Sequence, residues 1–255
     1  MRKFMKFTLI LLLAGGLFGC VTETPTTKVV KKDSAIQTRL EAGAQYLADG
    51  NREMARRQYS EALKMDSGVA EAYIGIAQVH ELNSEYVEAD QNFRKALSKR
   101  TFNGKAAINL AYGKFLWGRK RFQDAVKYFD LAGKDYDFGG RAQAIYFSGR
   151  CRAELGDKVK AKAEFQHAVN LRDDMGDAHL ELAALSFADR DYPQAEEHFT
   201  QFLKYSRQNA RSLWLGIRLQ RVLAHDDKVA SYALQLKNLY GSSEEYLEYK
   251  RLIGQ

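Results

Sequence analysis

Apolar and small residues recur three and four positions apart along nearly the whole chain, the spacing of helices with one buried face, and strand-like alternation is absent. Within that periodicity one short pattern returns: Ala55-x3-Tyr59-x2-Ala62, Ala89-x3-Phe93-x2-Ala96, Ala125-x3-Phe129-x2-Ala132, Ala161-x3-Phe165-x2-Ala168 and Ala195-x3-Phe199-x2-Phe202. The first alanines lie 34, 36, 36 and 34 residues apart, and a looser sixth copy, Ala230-x3-Leu234, follows after 35. Twelve positions before each of the first five stands a small residue: Gly43, Ala77, Gly113, Gly149 or Ala183. Helices that cross closely need small side chains at the contact, and a ring on the second helix fills the space beside it. Each copy therefore predicts a helix hairpin. Turn-forming clusters separate the paired helices (Asp49-Gly50-Asn51, Asn83-Ser84, Gly156-Asp157, Asp189-Arg190-Asp191), and the Asn, Ser or Asp of each is placed to cap the second helix. Pro193 falls in the first turn of its helix, where a missing N–H costs nothing.

Self-similarity at this period is the mark of stacked repeats. These residues resemble the tetratricopeptide (TPR) pattern over about residues 36–240. The resemblance implies an all-α fold, a right-handed superhelix of six hairpins over residues 34–241 with the last copy degenerate. The 36-residue spacings depart from the usual 34 of the pattern and are assigned to longer turns at 100–103 and 137–140. Residues 242–255, with Tyr246, Leu247, Tyr249 and Leu252, are expected to form a helix that caps the last repeat.

In that pattern the first helix of each pair lines a concave face with its second, fifth, ninth, twelfth and thirteenth positions. Here these are Gln37, Leu40, Ala44, Leu47 and Ala48, then Glu71, Ile74, Gln78, Glu81 and Leu82, then Leu110, Lys114 and Trp117 in repeat 3 and Tyr146, Arg150 and Glu154 in repeat 4. A partner-binding groove is accordingly expected at Leu40, Ala44, Leu47, Ile74, Gln78, Leu82, Leu110 and Trp117. A groove this apolar suits an amphipathic helix or an extended peptide. The competing expectation is that Leu40, Leu47 and Leu82 are packed between helices.

The first residues follow a different pattern. Three basic residues within 2–6 precede an apolar run at 7–18, broken by Gly15 and Gly16, and then Gly19 and Cys20. This is the layout of an export signal, and the run of about 12 residues falls short of the ~20 a membrane-spanning helix needs. Leu17-Phe18-Gly19-Cys20 resembles a bacterial lipoprotein lipobox, in which cleavage before the cysteine leaves its thiol to carry lipid. Phe18 stands where a small residue is usual, which bears on processing efficiency. An ordinary secretory signal with an incidental cysteine is the other reading, but the chain has just one further cysteine, Cys151, with which Cys20 could pair. Residues 1–19 are therefore expected to be signal peptide, and 20–33 a lipidated cysteine with a Thr- and Lys-rich flexible tether. Acyl chains contribute about 0.8 kcal/mol per buried methylene, so several make a stable anchor. In lipoproteins, Val21 in place of an aspartate after the cysteine implies the outer membrane, facing the periplasm.

Composition changes this picture little. Hydrophobic residues make up 45% and charged residues 28%, enough apolar material to exclude a disordered chain. The formal charge of +7 falls to +4 once Arg2, Lys3 and Lys6 are removed, and acids alternate with bases on helical faces, so no nucleic-acid partner is expected. The five histidines form no HExxH arrangement, and CxxC, phosphate-loop and GxSxG motifs are absent. Glu196-Glu197-His198 reads as a charged surface and Cys151 as a small buried hydrophobe. No catalytic or metal site is assigned and no cofactor beyond the lipid on Cys20. The chain reads as a binding protein, not an enzyme.

The atypical sixth copy, Trp214-Leu215-Gly216-Ile217-Arg218 leading to Ala230-Ser231-Tyr232-Ala233-Leu234-Gln235-Leu236, and the closing Ser243-x-Glu245-Tyr246 stand behind a lipobox and five ordinary repeats. Together they resemble the type IV pilus biogenesis family PilF/PilW, whose members are pilotins. The resemblance covers essentially the whole chain. It implies an outer-membrane lipoprotein that binds secretin subunits in the periplasm, carries them to the outer membrane through its lipid and promotes assembly of the ring through which pili emerge. The chain itself is expected to be a monomer. The alternative is a general periplasmic scaffold for peptidoglycan or outer-membrane assembly proteins, with the same anchor and compartment.

Overall fold

The computed structural model describes residues 25–254, so the expected signal peptide, the lipobox-like run and Cys20 lie outside the described residues. Among these, thirteen helices follow one another: α1 (Pro25–Ala48), α2 (Arg52–Met65), α3 (Ala70–Leu82), α4 (Tyr86–Leu97), α5 (Gly104–Gly118), α6 (Phe122–Gly133), α7 (Arg141–Glu154), α8 (Lys158–Leu171), α9 (Gly176–Ala188), α10 (Tyr192–Tyr205), α11 (Ala210–Val222), α12 (Asp226–Tyr240) and α13 (Glu244–Leu252). Consecutive odd and even helices pack as hairpins, each even helix through α8 apart from α4 packs broadly on the next odd one, and α1 touches α3, α3 touches α5, α5 touches α7 and α9 touches α11. The odd helices thus form an inner layer and the even ones an outer layer: this is a TPR superhelix. Helix α13 lies on α11 and α12, with Tyr246 and Tyr249 against the cluster around Leu213, Ile217 and Leu236.

The repeated sequence pattern is the core. Ala55, Ala89, Ala125, Ala161 and Ala195 are wholly buried, as are Ala62, Ala96, Ala132, Ala168 and Phe202, with the five rings beside them. The rings sit where glycine lets them. A Cβ built on Gly43 would lie 2.6 Å from the Tyr59 ring and one on Gly75 only 2.3 Å, so that ring is held between the first helices of two successive repeats. Gly113 bears the same relation to Phe129 (2.7 Å) and Gly149 to Phe165 (2.8 Å).

The sixth repeat departs from the expected register. Ala230 and Leu234 are exposed, whereas Ala233 and Leu236 are buried with Val229 packed beside them. The buried face of α12 is Val229, Ala233 and Leu236, packed on Leu213 and Ile217. The ring of this copy is Tyr232: a Cβ built on Gly216 would lie 2.9 Å from it, so the glycine-to-ring contact of the earlier repeats recurs without the flanking alanines.

Between the paired helices the chain turns at one residue with positive φ, at Gly50, Ser84, Lys120, Gly156, Arg190 and Ala224. Asn51, Asp157 and Asp191 cap the helices that follow by accepting from the backbone N–H three residues on. The cap expected from Asn83-Ser84 is not made: Asn83 closes α3, Ser84 takes the left-handed turn, and the N-cap position falls to Glu85, whose carboxylate instead bonds His80 Nδ1. The links between repeats are 66–69, 98–103, 134–140, 172–175 and 206–209, so the two longer ones flank repeat 3 as the 36-residue spacings require.

Residues 25–33, read from sequence as tether, form the first turns of α1. Nothing after Pro25 breaks a helix, and Asp33 accepts from Arg100 Nη2 at 2.8 Å while the same guanidinium bonds Asp66 at 2.8 and 3.0 Å. That contact pins the start of the array to the end of its second repeat. Cys151 is fully buried and burial pushes its thiol up to about 12, which leaves it an inert hydrophobe at neutral pH.

Two histidines are buried on the outer side of repeat 5. His179 Nε2 donates to the Asp173 carbonyl at 3.0 Å, so the neutral ring presents Nδ1 as acceptor to the Nδ1–H of His198 at 3.2 Å. Burial, and secondly His179, hold the pKa of His198 below its ordinary value. Below about pH 6.5 the unfolded chain takes up a proton that folded His198 resists, so stability falls with pH there until the folded group also titrates. We expect the midpoint of urea unfolding to drop on going from pH 7.5 to pH 5.5, and His198→Asn to flatten that slope. A wild-type midpoint independent of pH across this range contradicts the assignment.

The left-handed turns give a second prediction. A side chain at such a φ costs about 1–2 kcal/mol, partly offset by the extra chain entropy glycine loses. Arg190, exposed at the tip of its turn, should gain up to about 1 kcal/mol as Arg190→Gly. Gly156→Ala, whose Cβ meets no atom within 4 Å, should lose about 1 kcal/mol for backbone reasons alone. Thermal denaturation reads both, as shifts of roughly 2–4 °C in opposite directions.

Candidate functional site

Counting Ile36, Ala70, Ala106, Ala142, Gly176 and Ala210 as the first residue of each repeat, the inner face splits into two halves of different chemistry. The N-terminal half is a concavity of about 470 Å³ bounded by α1, α3 and α5. Its apolar lining is Leu40, Ala44, Ile74, Ala107 and Ala111, and polar groups from Gln37, Glu41, Glu71, Gln78 and Asn103 stand along it.

The hollow exists because side chains there are short. At the sixth position, repeats 2 and 3 carry Gly75 and Ala111, where the later repeats carry Phe147, Glu181 and Leu215. With no side chain at Gly75, the ring of Tyr59 reaches through from the outer helix α2 and forms part of the groove wall. Phe102 closes the other side from the long link 98–103. That link is held by one carboxylate oxygen: Glu71 Oε1 accepts from Thr101 Oγ1 at 2.6 Å, from the Phe102 N–H at 2.7 Å and from the Asn103 N–H at 3.0 Å. The other oxygen, Glu71 Oε2, is buried with no hydrogen-bond partner. Glu71 also lies in the first turn of α3, where the helix dipole favours a negative charge. A donor on a bound chain would satisfy the orphaned oxygen.

Of the eight residues expected in the groove, the structure brings four together: Leu40, Ala44, Ile74 and Gln78. The others lie elsewhere. Leu110 is buried in the core, because Phe138 and Gly140 of the long link 134–140 fold over it. Leu47 packs between helices against Tyr59 and Val79, as the competing expectation held. Leu82 is 48% exposed near the end of α3, away from the concavity. Trp117 belongs to the second half of the inner face, edge-on to Phe147 at 5.4 Å with the Arg150 guanidinium over its ring. The residues missed from sequence were the small ones, Gly75, Ala107 and Ala111, together with Tyr59 and Phe102. A search for small residues at inward positions would have found the first three; Tyr59 was already noted as a core ring, and its second role follows from the gap at Gly75.

Further along, Lys114, Arg150 and Arg218 lie over aromatic rings, and Arg211 is joined to Arg150 through Glu181. Glu181, almost fully buried, accepts both nitrogens of Arg211 at 2.7 Å and lies 3.4 Å from Arg150 Nε. Among the described residues no group of three or more His, Cys, Asp or Glu is placed to hold a metal.

Known proteins share this architecture. The type IV pilus assembly protein PilF of Pseudomonas aeruginosa is 34% identical over 249 residues, spanning 96% of this chain and 98% of its own. The solved structure of Pseudomonas aeruginosa PilF matches with a TM-score of 0.82 at 33% identity, covering 87% of this chain and 99% of that one. The crystal structure of PilW, a type IV pilus biogenesis factor, matches with a TM-score of 0.70 at 24% identity over 84% of this chain and 97% of its own, a likeness of fold. No protein-family profile matches the chain.

The bonds of Glu71 predict a graded response. Glu71→Ala releases three donors and should cost about 2–4 kcal/mol in chemical denaturation, while Glu71→Gln keeps the Oε1 acceptor and should cost about 1 kcal/mol. Equal losses in the two variants would mean that the link is not held by this oxygen.

Proposed function

The chain belongs to the PilF/PilW family of type IV pilus biogenesis proteins, and from that premise we propose that it is a pilotin: an outer-membrane lipoprotein whose N-terminal groove holds a segment of a secretin subunit. The observation that carries the reading is the groove of repeats 1–3, an apolar trough with one unpartnered carboxylate oxygen on its wall. An apolar client face fills the space left by Ala44, Gly75, Ala107 and Ala111, and a backbone or side-chain N–H of the client satisfies Glu71 Oε2. Apolar contact supplies affinity and the single acceptor fixes register, the usual division of labour in such sites. The address comes from acyl chains on Cys20. Binding and delivery are thereby separable. The groove selects the subunit, and the lipid carries it to the membrane where the ring assembles. The work is done by binding alone, with no reaction and no cofactor beyond the lipid.

Three strains test this: wild type, Cys20→Ala, and a filled groove, Ala44→Phe with Ala107→Phe, chosen because both side chains line the hollow and neither belongs to a core cluster. Heat-stable secretin multimers are quantified in the outer-membrane fraction. Loss or relocation of multimers without Cys20, and failure with the filled groove despite unchanged helical circular dichroism, is the expected outcome. Normal multimers in all three strains would sink the pilotin reading and favour a general envelope scaffold.

A further inference from the structure

The second half of the inner face has a character of its own. Lys114 lies 5.3 Å from the Phe147 ring, Arg150 lies 5.4 Å from the Trp117 ring and 6.0 Å from that of Tyr146, and Arg218 lies between Phe187 at 5.2 Å and Trp214 at 5.1 Å. Lys114, Arg150 and Arg218 occupy the same ninth position in repeats 3, 4 and 6, so the superhelix sets them in one row, and Arg211 stands at the second position of repeat 6 beside its end.

The acids of this face gather at the middle of the row and leave its ends bare. Glu181 is shared by Arg150 and Arg211, and Glu154 and Asp177 stand near Arg211 and Tyr146. Lys114 bonds a neutral partner, Gln143 Oε1, at 3.1 Å. Arg218 takes part in no ion pair within 4 Å among the described residues, feels Glu248 of α13 only at longer range, and has its Nε buried without a hydrogen-bond partner. Desolvation holds the pKa of both Lys114 and Arg218 down, the behaviour of cations that have given up water without gaining a carboxylate. An uncompensated, half-buried guanidinium is costly, and rings that hold it in place before a ligand arrives lower the entropy lost on binding.

We propose that the inner face of repeats 3–6 is a second docking surface, which takes an acidic peptide segment of a protein partner, with its carboxylates on Lys114 and Arg218 and its chain running along the row. The geometry favours a carboxylate-bearing peptide over a nucleic acid. Single strands bind by stacking bases on open aromatic faces, and here Trp117, Phe147, Phe187 and Trp214 already carry the chain's own cations. Glu181 within the row also opposes a ligand with a charge at every residue-sized step. A peptide with spaced carboxylates meets the forks of the arginines without that repulsion.

The chain has two tryptophans, Trp117 and Trp214, and both lie on this surface, so intrinsic fluorescence reports on it directly. The full chain is titrated with an acetylated peptide of alternating glutamate and serine, with the same peptide carrying lysine for glutamate, and with a ten-nucleotide oligothymidylate. A saturable change with the glutamate peptide, weakened by salt, absent with the lysine peptide, and weakened roughly tenfold by Arg218→Gln and by Lys114→Gln, is the expected result. Arg218→Lys keeps the charge but loses the fork, and should fall between wild type and Arg218→Gln. The filled-groove variant should respond like wild type, which makes this surface independent of the secretin reading. No saturable change up to about 1 mM, the upper end of weak specific binding, overturns the proposal. So does a response untouched by Arg218→Gln in a protein with wild-type circular dichroism, or tighter binding of the oligonucleotide that depends on the same arginine.

Discussion

Everything in this array rests on an aromatic ring laid against helix backbone. Tyr59 is seated between Gly43 and Gly75, where a Cβ on either would come within 2.6 Å of its ring, and Phe129 and Phe165 repeat the contact on Gly113 and Gly149. Such a ring buries a large apolar area and tolerates very little displacement, because the interior is close-packed. It fixes how closely the two helices of a hairpin approach and, through Gly75, how the next repeat leans on the last. In the sixth repeat Tyr232 keeps the contact on Gly216 although the alanines that flank the ring in the other repeats are gone. The contact is retained while its neighbours change, which is why the array closes properly on a copy that no longer looks like the others.

The functional surface follows from the same constraint. A ring that demands small neighbours leaves hollows wherever no other side chain fills them, and in repeats 2 and 3 nothing does. Gly75 and Ala111 leave the trough open, and the long link 98–103, tied to Glu71, supplies its far wall. From repeat 4 onward Phe147, Glu181 and Leu215 occupy that position, the hollow closes, and the inner face becomes a surface of cations on rings. One scaffold thus offers an apolar cleft at one end and a basic row at the other.

Contacts between residues far apart in sequence keep this arrangement rigid. Arg100 ties Asp33 to Asp66, so that α1 is held by the second repeat as well as by its own hairpin partner. Arg211 grips Glu181 from the next repeat, and Tyr246 and Tyr249 of α13 cover the apolar end that the last hairpin would otherwise expose. These are interfaces between neighbours, which is where a stacked-repeat protein keeps much of its stability.

What the sequence determined by itself was periodic and local. The recurrence of Ala-x3-ring-x2-Ala, with a small residue twelve positions earlier, dictates helix hairpins, names most of the core and requires longer links around repeat 3, because spacing along a helix decides directly which residues share a face. Part of the groove was legible in the same way, at Leu40, Ala44, Ile74 and Gln78. The tertiary structure alone decided which inward positions are open. Leu110 is covered because Phe138 arrives from a link 28 residues further along, Tyr59 becomes a wall of the groove because Gly75 on the next repeat leaves it bare, and α1 extends to Pro25 while Asp33 meets Arg100. The ring of the last copy, Tyr232 on Gly216, was hidden too, since the alanines that flank the ring in the other repeats are absent there. Helical periodicity assigns a residue to a face, but what covers that face is settled by the next repeat and its link, and no spacing within one repeat records it.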